Sequence, residues 1–194
     1  MKISNSLFFL ILTSCGIGIS KMDHEVGKCI NEYAKSQKTH RGMEVMGTGG
    51  SNPNGLYKRI HVHFYCYKHL DVPEARRLFV ASALEFIERM NSNEKLRPFL
   101  EEYPATIENI KIDINCFDDA GRGDLGDFVD PPYVAFMFHV GNRLIYCFDD
   151  KTEFSFSHDY EETFEEALRI VNGEQEDPCR WLEPTPRRRI SSSK

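Results

Sequence analysis

Residues 57–67 read YKRIHVHFYCY. Ile60, Val62, Phe64 and Cys66 take every second place, and His61, His63, Tyr65 and Tyr67 fill the places between. Successive side chains of a strand point to opposite faces, so this stretch is a half-buried strand with the first set inward. A second alternation runs from Ile107 to Phe117. It puts Ile110, Ile112, Ile114 and Cys116 inward, and Lys111, Asp113 and Asn115 outward. Tyr133 to Val140 and Leu144 to Phe148 read as two further strands. Gly141-Asn142 between them is the two-residue linker of a tight hairpin. Met43 to Gly47 reads as a short strand, and TGGSNPNG at 48–55 as a turn-rich loop.

Helical periodicity fills the remaining stretches. From Lys21 to Ser36, Met22, Val26, Ile30 and Tyr33 recur every three or four residues and form one face. Asp71 opens the strongest helix. It is an N-cap with Glu74 three residues on as its capping-box partner, and Pro73 lies in the first turn. Phe79, Val80, Ala83, Phe86, Ile87 and Met90 make its apolar face, with Arg77, Glu85, Glu88 and Arg89 opposite. A short helical turn is expected around Arg97 to Tyr103. The last helix is expected to start near Asp159 with Glu162 as capping partner, to bury Tyr160, Phe164, Leu168 and Val171, and to stop at Gly173.

The order is therefore α-β-β-α-β-β-β-α. Strands apolar on one side imply a sheet with one covered face. The fold class is α+β: a two-layer sandwich with a mainly antiparallel, four- to five-stranded sheet and its helices packed on one face. The single domain covers 21–173, and 174–194 is a loosely ordered tail without periodicity.

Residues 1–20, MKISNSLFFLILTSCGIGIS, are an export signal. Lys2 gives the basic start and Leu7 to Leu12 the apolar core. Leu12-Thr13-Ser14-Cys15 resembles the box at which bacterial lipoproteins are cut and acylated, so Cys15 is the expected lipid attachment. Several acyl chains, at about 0.8 kcal/mol per buried CH₂, hold firmly where one holds marginally. Three other readings remain open. One is plain cleavage after Ser20, where Gly18 and Ser20 stand at small-x-small spacing. The second is a membrane span, for which the segment is too rich in Ser, Thr, Asn and Gly to suit the ~20 apolar residues a span wants. The third is a buried N-terminal strand.

In 194 residues, 41% are hydrophobic, enough for a core, and the formal net charge of −6 argues against a nucleic-acid surface. Of six cysteines, five remain beside Cys15. Cys66, Cys116 and Cys147 read as small buried hydrophobes. Cys29 and Cys179 flank the domain and could be bridged if the compartment is oxidising. No CxxC pair is present.

The outward set His61, His63, Tyr65 and Tyr67 is the candidate binding face. Two histidines two apart on one strand can converge on an ion, with His139 as a third ligand, but a metal site needs three or four ligands. An ordinary aromatic sheet face or interface is the stronger reading, and no metal or cofactor is expected. The loop FDDAGRGDLGDFVD gathers Asp118, Asp119, Asp124, Asp127 and Asp130 without the spacing of a calcium loop. The glycines at 47, 49, 50 and 55 precede no GK[ST], Ser51 lacks a nucleophile elbow, and Arg187-Arg188-Arg189 reads as a solvated run.

MGTGGS (46–51), PEARRLFVASALEFIERMNSNEKLRPFLEEYPAT (73–106), NIKIDI (109–114) and EEALRIV (165–171) together resemble a set of uncharacterised lipoproteins from Chlamydia-like intracellular bacteria. The resemblance covers residues 43–172. It implies a bacterial envelope setting and transfers no site residue. The expectation is a non-enzymatic, envelope-anchored protein-interaction module on the membrane through its lipid, with a protein partner and no nucleic acid. The alternatives are a small-molecule or metal-binding domain, including a hydrolase, and a secreted effector.

Overall fold

The structure, a computed structural model, describes residues 20–117, 133–149 and 156–179, without the side chains of 149 and 156–159. The leader with Cys15, the aspartate-rich loop and the arginine run lie outside the described residues. Three helices, α1 (Lys21–Arg41), α2 (Val72–Ser92) and α3 (Phe164–Val171), accompany six strands. These are β1 (Met43–Ser51), β2 (Arg59–Cys66), β3 (Ile110–Cys116), β4 (Val134–Val140), β5 (Arg143–Asp149) and β6 (Phe156–Thr163). The fold is α+β, and the sheet has six strands rather than the expected four to five.

The strands lie in chain order, β1-β2-β3-β4-β5-β6. Only β2 and β3 run parallel; the other pairings are antiparallel. A parallel neighbour cannot be reached by a hairpin, so α2 and two 3-10 turns at Arg97–Phe99 and Ile107–Asn109 fill the crossover. The expected β4–β5 hairpin is present, with Val140 opposite Arg143 and Gly141 at φ 59.

Two departures from the sequence reading account for the larger sheet. TGGS at 48–51 extends β1, with Thr48 opposite Val62 and Gly50 opposite Ile60. Strand pairing overrides the low strand propensity of glycine there. Gly50 also serves packing: a Cβ on it would stand 2.3 Å from the Tyr57 ring. The second departure is at the last helix. It begins at Phe164, with Thr163 and Glu166 forming the capping box, and the residues before it pair with β5 as β6. Position 159 and Glu162 both lie within β6, so the expected helix start falls inside a strand. The Asp71–Glu74 box of α2 forms as read, with bonds of 2.7 and 3.1 Å.

One core cluster joins the buried sides of all three helices to the inward residues of the strands. Tyr33 of α1 shows how it locks. It is fully buried, stacks on Phe86 of α2 at 4.3 Å, meets Phe64 of β2 edge-on, and donates to the Ser82 carbonyl at 3.0 Å. At the other end of α2, Arg76 is 1% exposed. Its Nε donates to both oxygens of Glu162 on β6 (2.8 and 3.0 Å), one terminal nitrogen to Asp177 (2.6 Å) and the other to the Tyr160 hydroxyl (3.2 Å). Tyr146 of β5 donates to Glu162 at 2.6 Å. Burial opposes the Arg76 charge, but Glu162 and Asp177 outweigh it and hold the guanidinium protonated. Through Asp177 and the buried Cys179, this network ties the chain after α3 onto α2.

Candidate functional site

The places between the inward residues of β2, β3 and β4 make up the other side of the sheet. Register aligns them across strands. His61 stands beside Lys111, His63 beside Asp113 and Phe138, and Tyr65 beside Asn115 and Phe136. On the β1 side, glycines face both histidines, Gly49 opposite His61 and Gly47 opposite His63. The register partners of both histidines on β1 are thus glycines, and Met46 lies in the bulge beside Gly47.

The four residues expected to form a face do form one. His61 and His63 stack with centroids 6.3 Å apart, His63 meets Tyr65 at 6.4 Å, and Tyr65 meets Tyr67 at 6.3 Å. The row widens through residues the sequence reading had not joined to it. Phe117 lies edge-on to Tyr65 at 5.2 Å, Phe136 lies 6.1 Å from His63, and Phe138 stacks on Phe136 at 5.1 Å. Phe136 and Phe138 sit in an all-apolar run, VAFMFHV, where period alone cannot separate the faces.

Within this aromatic face sits a polar centre. His61 Nε2 is 2.8 Å from Asp113 Oδ2, and Lys111 Nζ is 3.4 Å from the same oxygen. The histidine side chain is 31% exposed and the aspartate 9%. Asp113 was expected as an outward strand residue; its role as the partner of His61 depends on a pairing between residues 52 apart. With Nε2 held by the carboxylate, His61 Nδ1 lies on the Gly49 side, where an added Cβ would stand 3.9 Å away. Asp113 Oδ1 and His63 Nε2 are buried and have no hydrogen-bond partner among the described residues. A buried polar atom left unpaired costs about 1–3 kcal/mol, so two of them mark a place where an incoming donor and acceptor would be welcomed.

His139 does not join the two histidines. It points inward, 3% exposed, with its ring edge-on to Phe79 of α2 at 5.5 Å and Nδ1–H donating to the Gly141 carbonyl at 2.8 Å. Burial lowers its pKa despite the opposing pull of the Gly141 carbonyl, which keeps the ring neutral. The alternation of β4 puts His139 on the same side as Met137, opposite to Phe138. Among the described residues no group of three or more His, Cys, Asp or Glu is arranged to hold a metal.

The cysteines also depart in part from expectation. Cys66, Cys116 and Cys147 are buried, as read. Cys29 and Cys179 are not bridged. Cys29 lies near Arg89 and Cys179 against Arg76, thirteen residues and therefore about 20 Å apart along α2. Among the described residues no helix is long and apolar enough to cross a membrane. No protein-family model matches the chain, and neither does any curated protein or solved structure.

Proposed function

We propose that this chain is a lipid-anchored envelope protein, acylated at Cys15, that works by holding a protein partner on the aromatic face of its sheet. In this two-layer arrangement α1, α2 and α3 serve the core, and the His61–His63–Tyr65–Tyr67 face does the binding. The observation that carries the reading is the continuous ring row from Tyr67 to Phe138, with two unpaired buried polar atoms at its centre. Aromatic side chains with a few placed polar groups are the composition of interface cores. The acidic balance and the leader support an envelope contact over a nucleic-acid one.

The test extracts the protein from its own envelope in mild detergent and sizes it by sedimentation. The wild type is expected to run as a complex, and Tyr65→Ala/Tyr67→Ala as the monomer. A monomeric wild type contradicts the proposal. Labelling with a fatty acid tests the anchor separately: Cys15→Ser should lose the label, and a label that persists moves the attachment elsewhere.

The His61–Asp113 pair favours a second reading, a small-molecule site at which His61 moves a proton. Its test is turnover of an ester panel. Activity lost in His61→Gln with the fold intact would favour it over the interaction module.

A further inference from the structure

Cys66 and Cys116 are the last residues of the two parallel strands, and they face each other in register. Both belong to the inward set, so both Cβ atoms leave the sheet on the same side. We infer that Cys66 and Cys116 are a redox-active dithiol that a disulfide oxidant closes into a cross-strand bond.

Geometry supports closure. Neighbouring strands lie about 4.8 Å apart, inside the roughly 4.4–6.8 Å range of Cα separations that disulfides span. Side chains of in-register parallel neighbours start at about that same separation, wider than the ~3.8 Å usual between bridged Cβ atoms. The bond therefore forms with some strain, which makes it easier to reduce than a structural disulfide. Beyond this rung the pairing ends with Phe117 N–H donating to the Cys66 carbonyl at 2.8 Å. The pair thus sits at a sheet end, where opening needs the least disruption. No other two cysteines of the described residues are register neighbours.

The two thiols are not equivalent. Cys116 is 8% exposed and Cys66 fully covered. The Cys116 thiol donates a hydrogen bond to the Cys66 sulfur. That bond lowers the Cys66 pKa, with burial opposing it and the Lys68 ammonium assisting; it raises the Cys116 pKa, and burial raises it further. An order of events follows. On opening of the sheet end, Cys116, the less covered residue of the two, gives its proton to solvent and attacks a small disulfide such as oxidised glutathione. The disulfide's S–S bond breaks, a mixed disulfide forms and one glutathione thiol leaves. Cys66 then loses its proton to solvent, attacks the Cys116 sulfur and expels the second glutathione, whose thiolate takes up a proton. Two cysteine thiols are oxidised and one glutathione disulfide is reduced. Resolution is intramolecular, between two residues held in register, and therefore outpaces the first, bimolecular attack.

The reaction itself does not depend on the proposed address; an exported location only decides whether the cell supplies the oxidant. The experiment incubates the folded full chain with oxidised glutathione and maps its peptides without reduction. The expected product is a linked Cys66–Cys116 peptide pair with little mixed disulfide, reopened by reduced glutathione without denaturant. Cys66→Ala should instead accumulate glutathione on Cys116, and Cys116→Ala should be left almost unmodified at Cys66. The inference is overturned if the wild type stays fully reduced, if links involve Cys29, Cys147 or Cys179 instead, or if Cys66→Ala accumulates no more adduct than the wild type. Because the wild-type map stands alone, failure of either variant to fold leaves the test intact.

Discussion

The two faces of this sheet each hold an ion pair, and the pairs are built differently. Under α2, Arg76 and Glu162 have side chains 1% and 4% exposed, and each donor of the guanidinium named above has an acceptor. On the opposite face, His61 and Asp113 are 31% and 9% exposed, and Asp113 Oδ1 beside them has no partner among the described residues. The first pair is closed and joins helix, sheet and the chain after α3. The second is incomplete among the described residues, and under the proposed function it belongs to the binding face. Stability should therefore depend on the first pair, and association on the second.

The largest effect on stability is expected from Arg76→Met. It leaves Glu162 buried without its cation, a loss of about 3–5 kcal/mol in a denaturant melt. Arg76→Met/Glu162→Gln should recover much of that loss; if the double variant is as unstable as the single one, packing rather than charge governs the site. Next comes Gly50→Ala, which drives a methyl into the Tyr57 ring and should cost about 1–3 kcal/mol. An unchanged midpoint would show that Tyr57 moves aside freely.

A smaller effect concerns acid. Burial pushes the Glu85 pKa up, but hydrogen bonds from Ser36, Arg41 and Arg89 outweigh it and hold the carboxyl down to about 2 against an ordinary 4.5. The folded value is the lower one. Its contribution is therefore complete above about pH 4.5, declines as pH falls below that, and is gone near pH 2. Glu85→Gln should flatten the stability curve over that window, and an identical slope in the variant would contradict the assignment. The smallest stability change is expected on the open face: His61→Gln should cost under ~1 kcal/mol, as partly exposed ion pairs do. The same substitution should weaken partner association by about tenfold, which corresponds to ~1.4 kcal/mol of binding.

The two faces were also unequally legible in the sequence. Alternation in RIHVHFYC assigned each of its residues to a side, and the Asp71–Glu74 box located the start of α2. Arg76 and Glu162 hid for a common reason. Each is a charge in an inward position, and each makes sense only beside the other, 86 residues away. A signal existed, since Arg76 continues the Phe79–Ala83–Phe86–Met90 stripe by one more turn. In SHDYEETFEE, two consecutive capping-box patterns compete, and the strand that ends at Thr163 takes the earlier one. β1 was truncated because three glycines in MGTGGS argue against a strand locally, while β2 supplies the pairing from a distance. The open face was readable as four residues of one strand; Asp113, Phe136 and Phe138 joined it through register, which no single segment encodes.

The division of labour between the faces is tested most directly by a photocrosslinking amino acid placed in turn at Tyr65, on the open face, and at Leu84, exposed on α2. In the native envelope, one discrete adduct is expected from position 65 and none from position 84. An adduct from position 84 alone, or none from either, would contradict it.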